Sequence, residues 1–518
     1  MIIRYAGAAL LAAPFLILAQ AGLAQSAPDA GPVAPDATLT ARNGALSVSG
    51  VLRSFDGAVY RLDSAYGLLT LDAAGVTCTG PACPDLVGFV PSLRMVGPRG
   101  SGGGLAAALV EEFAQATGLE TALAWDAEGG GFVAELGAGA DRPALRVVYA
   151  VAGADAALAA LDTAEADFAL VIGDPGLRPS RLVGRDPLLP VVAPGNPVDR
   201  LSLRDLRAVA AGAVETWSAL GGPDMPIALH ALAADDPVQR IVDAALGTAP
   251  PAGAIRHAGA MALATAVAAD PWALAVLPAS ARGATVPVLL ADSCGHLIRP
   301  DRFAVKAEDY PLTADVHLVW PARRPPPFAE PFRDHLATPS AQSAVAVTGL
   351  ADLAPELRPA VDQGARLLNA IRAAGPEVDL AALQALATAM TRAERLSLTI
   401  RFAGGAQRFD PPSRSHIAEL ALLLEAGSLD GSEVAFVGFS DGDGDAAANL
   451  ALSLARARAV HDAVVAAAPL LRPERVRLTV EAHGEALPIA CDDTETGRRV
   501  NRRVEIWVRP LPAVPRGN

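Results

Sequence analysis

The sequence predicts a multidomain α/β protein: a small antiparallel β module, a long α/β domain, a helical linker and a C-terminal α+β sandwich of βαβαβ type. Three patterns carry this expectation. Residues 38–80 alternate apolar and polar positions in short runs punctuated by Gly44, Gly57 and Gly67, as in three or four antiparallel strands. From Leu93 the rhythm becomes strand, loop, helix: Leu93–Gly97, the glycine-rich loop Pro98–Gly104, then apolar positions at Leu105, Leu109, Val110 and Phe113 up to a stop at Gly118. A last βαβα pattern opens at Leu396 and closes at Val508.

The boundaries follow. Residues 38–90 form the β module, 91–346 the α/β domain, 347–395 an Ala/Leu/Arg-rich helical linker and 396–511 the last domain, with a tail at 512–518. Before them, Arg4 is followed by an apolar stretch to Ala24, broken by Pro14 and ending in small residues, which is the pattern of a secretory signal cut near Ala24–Gln25. Residues 25–37 read as a flexible leader. Losing Arg4 with the signal takes the net charge from −14 to −15.

The chain of 518 residues is 52% hydrophobic and 19% charged, too apolar for a disordered protein. Its acidic balance argues against nucleic acid or an anionic membrane as partner. Lys306 is its single lysine, a bias that looks like GC-rich coding. Beyond the signal there is no stretch of ~18 apolar residues, so no membrane span is expected in the mature chain. In an oxidising compartment Cys78 and Cys83 are most simply a local disulfide closing a Gly-Pro turn, while Cys294 and Cys491 are left open between free and paired. The eight histidines are scattered, so no metal site is expected.

The loop at 98–104 suits an anion, because backbone N–H groups and a helix dipole point at it. Gly102, Gly104 and Ala107, with Asp126 after the next strand, imitate a dinucleotide fingerprint. The loop is too long before its first matching glycine, and an exported protein lies away from nicotinamide pools, so no cofactor is expected. Ser101 lacks the glycine two residues earlier that a nucleophile elbow needs. No nucleophile–base pair or paired carboxylates appear at recognisable spacing, and an enzyme is not expected.

Asp441, Asp443 and Asp445 mimic the opening of a calcium loop, but Ala446 replaces its turn glycine and Leu452 its bidentate acid. A different geometry accounts for the segment better. A strand to Gly438 followed by a helix from Ala446 puts Asp441 on the connecting loop, and Asn449, Ser453 and Arg456 on one helical face. A carboxylate and a guanidinium on one rim can read a zwitterion, the first taking the ammonium and the second the carboxylate.

Two resemblances follow from these residues. Gly438 to Asp441, Gly444, Asn449, Leu452-Ser453 and Arg456-Ala457, then His483 to Pro488 and Gly497 to Glu505, resemble the OmpA-like peptidoglycan-binding domain over about 396–510. The resemblance implies that Asp441 and Arg456 bind diaminopimelate of the peptide stem, supported by Asn449, Ser440, Asn501, Arg502 and Arg503. Strand, glycine-serine loop and helix, with Asn196-Pro197-Val198, Trp217 before Gly221 to Asp224, and Tyr310 to Leu312, resemble phosphate-type periplasmic substrate-binding proteins over about 90–350. This implies two lobes around a cleft, with Ser101 and Gly102 at the ligand. Ala233 to Pro237 and Leu170 to Asp174 stand where that family's anion-binding hydroxyls should be, and carboxylates repel phosphate. The expectation is a wall-anchored periplasmic scaffold or sensor of a Gram-negative bacterium, whose middle domain meets a protein or small anion with altered or lost specificity. The alternative is the solute receptor of an ABC transporter for phosphate or a related oxyanion.

Overall fold

The computed structural model describes residues 35–511, apart from 87–88, 127–129, 140–142, 324, 376–377 and 403–407. The expected signal, most of the leader, the tail and the Pro376 break lie outside the described residues. The chain divides into two bodies. In the first, five antiparallel strands run in the spatial order Gly67–Asp72, Val59–Ser64, Ser47–Phe55, Ala37–Ala41, Val76–Thr79. The fifth, only four residues long, is the one that alternation alone missed. Leu39, Val48, Tyr60 and Leu62 form its core, and Cys78 and Cys83 are disulfide-bonded as expected.

The second body begins with the α/β domain. Five strands make the first lobe, in the order Glu120–Trp125, Phe132–Gly137, Leu145–Val151, Ser92–Gly97, Phe168–Ile172. The predicted helix spans Ser101–Ala116, and its stripe of Leu105, Leu109, Val110 and Phe113 is fully buried against them. The 13-residue strand Ser180–Val192 then crosses over, pairing by its first half with Thr313–Val319 and by its second with Ala273–Pro278. Beyond it lies the second lobe, with its own core around Trp217, Leu232, Leu263 and Leu277.

The C-terminal domain is a five-stranded sheet in the order Leu357–Pro359, Glu394–Arg401, Arg503–Pro510, Ser432–Phe439, Arg477–Ala482. Period-two alternation sorts its side chains. Val434, Phe436, Val504 and Ile506 face the helices Pro411–Glu425 and Ala446–Ala467. Ala435, Val437, Phe439 and Trp507 face the other way, onto Ala370, Leu386 and Met390. Those three belong to the segment expected to be a linker. Residues 357–393 instead supply the edge strand and the helices Gly364–Ala373 and Leu380–Thr391 that close the sheet's second face.

The two domains of this body are joined by buried charge. On Glu394–Arg401, Leu396, Leu398 and Ile400 enter the helical core while Arg395, Ser397, Thr399 and Arg401 are buried on the opposite side. Arg395 pairs with Asp309 at 2.6 Å and Arg401 with Glu308 and Asp309 at 3.2 Å. Arg185 of the crossover strand holds the same Glu308 at 2.7 Å. Burial alone would raise both acids, but the guanidiniums outweigh it and hold them below the usual carboxylate range. The second disulfide, Cys294–Cys491, links residues 197 apart and ties the second lobe to the C-terminal domain.

Within that domain Glu505, fully buried, accepts from Arg503 at 2.7 Å and Trp507 at 2.9 Å and pairs with Arg366 and Arg395. Burial pushes its carboxyl up, and the three arginines hold it well below its ordinary range. Glu505→Gln leaves three cations without their shared anion and should cost about 3–5 kcal/mol in denaturant unfolding. Asp63→Asn in the half-exposed Arg53–Asp63 pair should cost under about 1 kcal/mol.

Candidate functional site

The loop between Phe439 and Ala446 and the helix that follows place the predicted residues of the C-terminal domain. Asp445 caps the helix by accepting from Ala448 N at 3.0 Å, which gives the third acid of the calcium-like run a structural task. Gly438 is required where strand and helix meet, since a Cβ there would stand 2.1 Å from the Ser453 carbonyl oxygen. This close approach sets the helix face carrying Asn449, Ser453 and Arg456 directly behind the loop. All three are buried.

Asp441 is 7% exposed and accepts from Arg502 Nη1 at 2.7 Å. Arg502 turns its other nitrogen to Glu495 at 2.5 Å. Burial lowers the Arg502 guanidinium, and its bonds to Glu495 and Asp441 outweigh that, so the net direction is upward. Arg456 is in the opposite situation. It is 6% exposed, lies over the Phe402 ring at 5.5 Å, and its Nη1 has no hydrogen-bond partner among the described residues. Burial lowers it, the field of Asp441 opposes this, and Arg502 adds to it, so the net direction is downward. A buried, unsatisfied guanidinium is costly unless something supplies an anion.

Asn449 donates to Glu485 at 3.0 Å, bringing an acid of the His483–Pro488 motif to the helix face. Ser440 is buried, and its Oγ is without a partner among the described residues. Two of the residues expected to support the rim lie inside the fold. Arg503 is fully buried, stacked 4.4 Å over Phe439, bonded to Glu505 and to the Leu487 carbonyl. Asn501 is 1% exposed and spends its carboxamide on Ile489, Ala490 and Asp492. Both shape the domain from inside, because the alternation of strand Arg503–Pro510 turns Arg503 into the core. Arg502, one residue earlier, is the one that reaches Asp441.

In the middle domain, Ser101 and Gly102 open the first helix and face Asp186 of the crossover strand and Val238 and Pro278 of the second lobe. The cavity between them is about 20 Å³, room for a water. Gly102 is needed there, because a Cβ would meet Tyr149 Oη at 2.7 Å. Asp236, one of the acids expected to oppose an anion, caps its own helix by accepting from Val238 N at 2.8 Å. Asp174 is exposed and caps a turn at Gly176 N.

The carboxylate that does line the cavity is Asp186, 5% exposed and bonded to the Ser280 hydroxyl and N–H. Burial pushes it up to about 6, against the pull of Ser280. Its only sequence signal is a charged Arg185-Asp186 pair inside an otherwise apolar strand.

Among known families, residues 131–338 match the PBP superfamily domain and residues 401–502 the OmpA family. The chain thus carries a periplasmic-binding-protein-like α/β domain and a C-terminal OmpA domain. Similar solved structures include a substrate-binding protein with bound phosphate from Clostridium perfringens, at 15% identity over 50% of this chain and 99% of that one, TM-score 0.42. An ABC-type phosphate transport receptor from Vibrio cholerae shows 16% identity over 49% of this chain and 98% of that one, TM-score 0.39. A cysteine-to-serine mutant of the OxyR2 regulatory domain from Vibrio vulnificus shows 15% over 52% and 100%, TM-score 0.31. No curated protein matches the chain. No helix among the described residues is long and apolar enough to cross a membrane. The pairing of domains fits a periplasmic, envelope-associated binding protein linked to peptidoglycan.

Because the Asp186 pKa is raised on folding, the folded state holds this proton more tightly than the unfolded chain. Its stabilisation is present below about pH 4 and is lost as pH rises through about 6. Thermal unfolding between pH 4 and 7 should show a decline that flattens in Asp186→Asn.

Proposed function

We propose that the protein is a non-enzymatic wall-anchored component of the periplasm, held by diaminopimelate-containing peptide stems at Asp441 and Arg456. The observation that carries this reading is Arg456: a guanidinium buried beside a carboxylate, with donor capacity unspent among the described residues. A zwitterion supplies what the pair lacks, its carboxylate facing Arg456 and its ammonium facing Asp441. Ser440 lies next to Asp441 with a hydroxyl unpartnered among the described residues, and Asn449 with Glu485 borders the same loop. Arg502 sets Asp441, while Asn501 and Arg503 act from inside the fold.

The middle domain serves in this reading as a scaffold or sensor rather than a phosphate receptor. Asp186 puts a carboxylate in the cavity, and the helix Pro237–Leu246 has its first N–H groups taken by Asp236. A ligand there would have to be compatible with a buried acid.

Sedimentation with purified sacculi tests the wall site. Wild type should co-sediment, and Asp441→Ala and Arg456→Leu should remain in the supernatant. Arg456→Leu should unfold at the same temperature as wild type or higher, because it removes a buried unpaired charge. Co-sedimentation of both variants at the wild-type level would falsify the assignment. Calorimetric titration of the full chain with inorganic phosphate should give no binding in the micromolar range. Micromolar binding would favour the transport-receptor alternative.

A further inference from the structure

We propose that the second lobe of the middle domain is part of the wall-binding rim, because it holds the turn Ile489–Asp493 that positions the Asp441 loop. The inference rests on the wall-binding reading above. From within the C-terminal domain, Asn501 Oδ1 accepts from Ile489 N at 2.8 Å and Ala490 N at 3.2 Å, and its Nδ2 donates to Asp492 Oδ1 at 2.8 Å. Asp492 Oδ2 in turn accepts from Gly442 N at 2.7 Å, one residue past Asp441. Gly497 lets the turn lie against the following helix, since a Cβ there would meet the Cys491 carbonyl oxygen at 1.9 Å.

From the other side the turn is held by a different domain. Cys491 is disulfide-bonded to Cys294, and its N–H donates to Asp292 Oδ2 at 2.5 Å. Asp493 accepts from Ser293 Oγ at 2.5 Å and from Arg204 at 2.8 Å. Asp292 is itself fixed, its Oδ1 accepting from Cys294 N at 3.0 Å and His296 N at 2.8 Å. Two carboxylates, Asp292 and Asp493, and one disulfide therefore fasten an irregular turn to the second lobe.

Arg456 stands on a regular helix, but Asp441 stands on a loop in which Gly442 to Gly444 are exposed. The distance between the two ligand-reading charges depends on what fixes the loop: Ser440 N, bonded to the Gly484 carbonyl at 2.9 Å, and the Asp445 cap hold its ends, while Arg502 and Asp492 hold Asp441 and Gly442 between them. Releasing the 489–493 turn gives the loop freedom that binding must remove again, which weakens affinity without touching a residue that meets the ligand. Cys294, Asp292 and Ser293 are positioning residues in this sense.

The test uses the full chain, in a Cys78→Ser/Cys83→Ser background so that one disulfide remains, and a disaccharide tripeptide containing meso-diaminopimelate as probe. Adding Cys294→Ser/Cys491→Ser should weaken binding about five- to tenfold in calorimetry. Asp292→Ala, which keeps the disulfide, should weaken it in the same direction, so the test survives if the serine variant fails to fold. By reciprocity the bound probe should make Cys294–Cys491 harder to reduce at equilibrium in a dithiothreitol redox buffer, by roughly the same five- to tenfold factor, and Asp441→Ala should abolish this shift. Affinity unchanged within about twofold in the folded variants, with a reduction equilibrium indifferent to probe, overturns the inference alone. Absence of binding by the folded, oxidised parent overturns the wall-binding reading and this inference with it.

Discussion

The arrangement of the second body depends on two consecutive acids. Glu308 and Asp309 sit where the second lobe, the crossover strand and the C-terminal sheet meet, and they are shared among Arg185, Arg395 and Arg401. Bringing these charges out of water is expensive, so the cluster exists only because geometry satisfies each member. Such a cluster tolerates few alternatives: sliding the strand Glu394–Arg401 by one residue would send Leu396, Leu398 and Ile400 into the charges and the arginines into the hydrophobic core. Register, domain orientation and electrostatic satisfaction are therefore one condition.

The same strand shows why the sequence was only partly legible. The pattern marks a strand from Leu396 and does not say what its polar positions meet: Arg395, Ser397, Thr399 and Arg401 are buried against another domain. Local pattern reports what a residue can tolerate, and an interface of paired charges has the same pattern as a wet surface. The Ala-rich segment 357–393 was misleading for a related reason: helices covering a sheet and helices linking domains share a composition. Cys294 and Cys491 could not be paired from 197 residues of separation, since the proximity is created by the docking itself.

The candidate rim was better marked, because its motif residues had fixed spacing on one helix and one loop. Asn449, Ser453 and Arg456 are buried on one helix, and Asp441 stands on the loop before it, within electrostatic reach of Arg456. What spacing could not supply was direction. Asn501, Arg502 and Arg503 are consecutive, and the entry into strand Arg503–Pro510 sends only Arg502 to Asp441. Asp186 went unread because an acid within an apolar strand carries no motif, although its burial makes it the dominant charge in the middle-domain cavity.

The ties between the OmpA domain and the α/β domain have a directional character. Among the described residues, the hydrogen bonds and ion pairs that join them go to Arg204, Asp292, Ser293, Asp301 and the segment 306–309, all outside the first lobe's core. If the wall holds the OmpA domain, it holds that side of the cleft as well. The crossover strands Ser180–Val192 and Thr313–Val319 then join a lobe fastened to the OmpA domain to one whose core these ties do not reach.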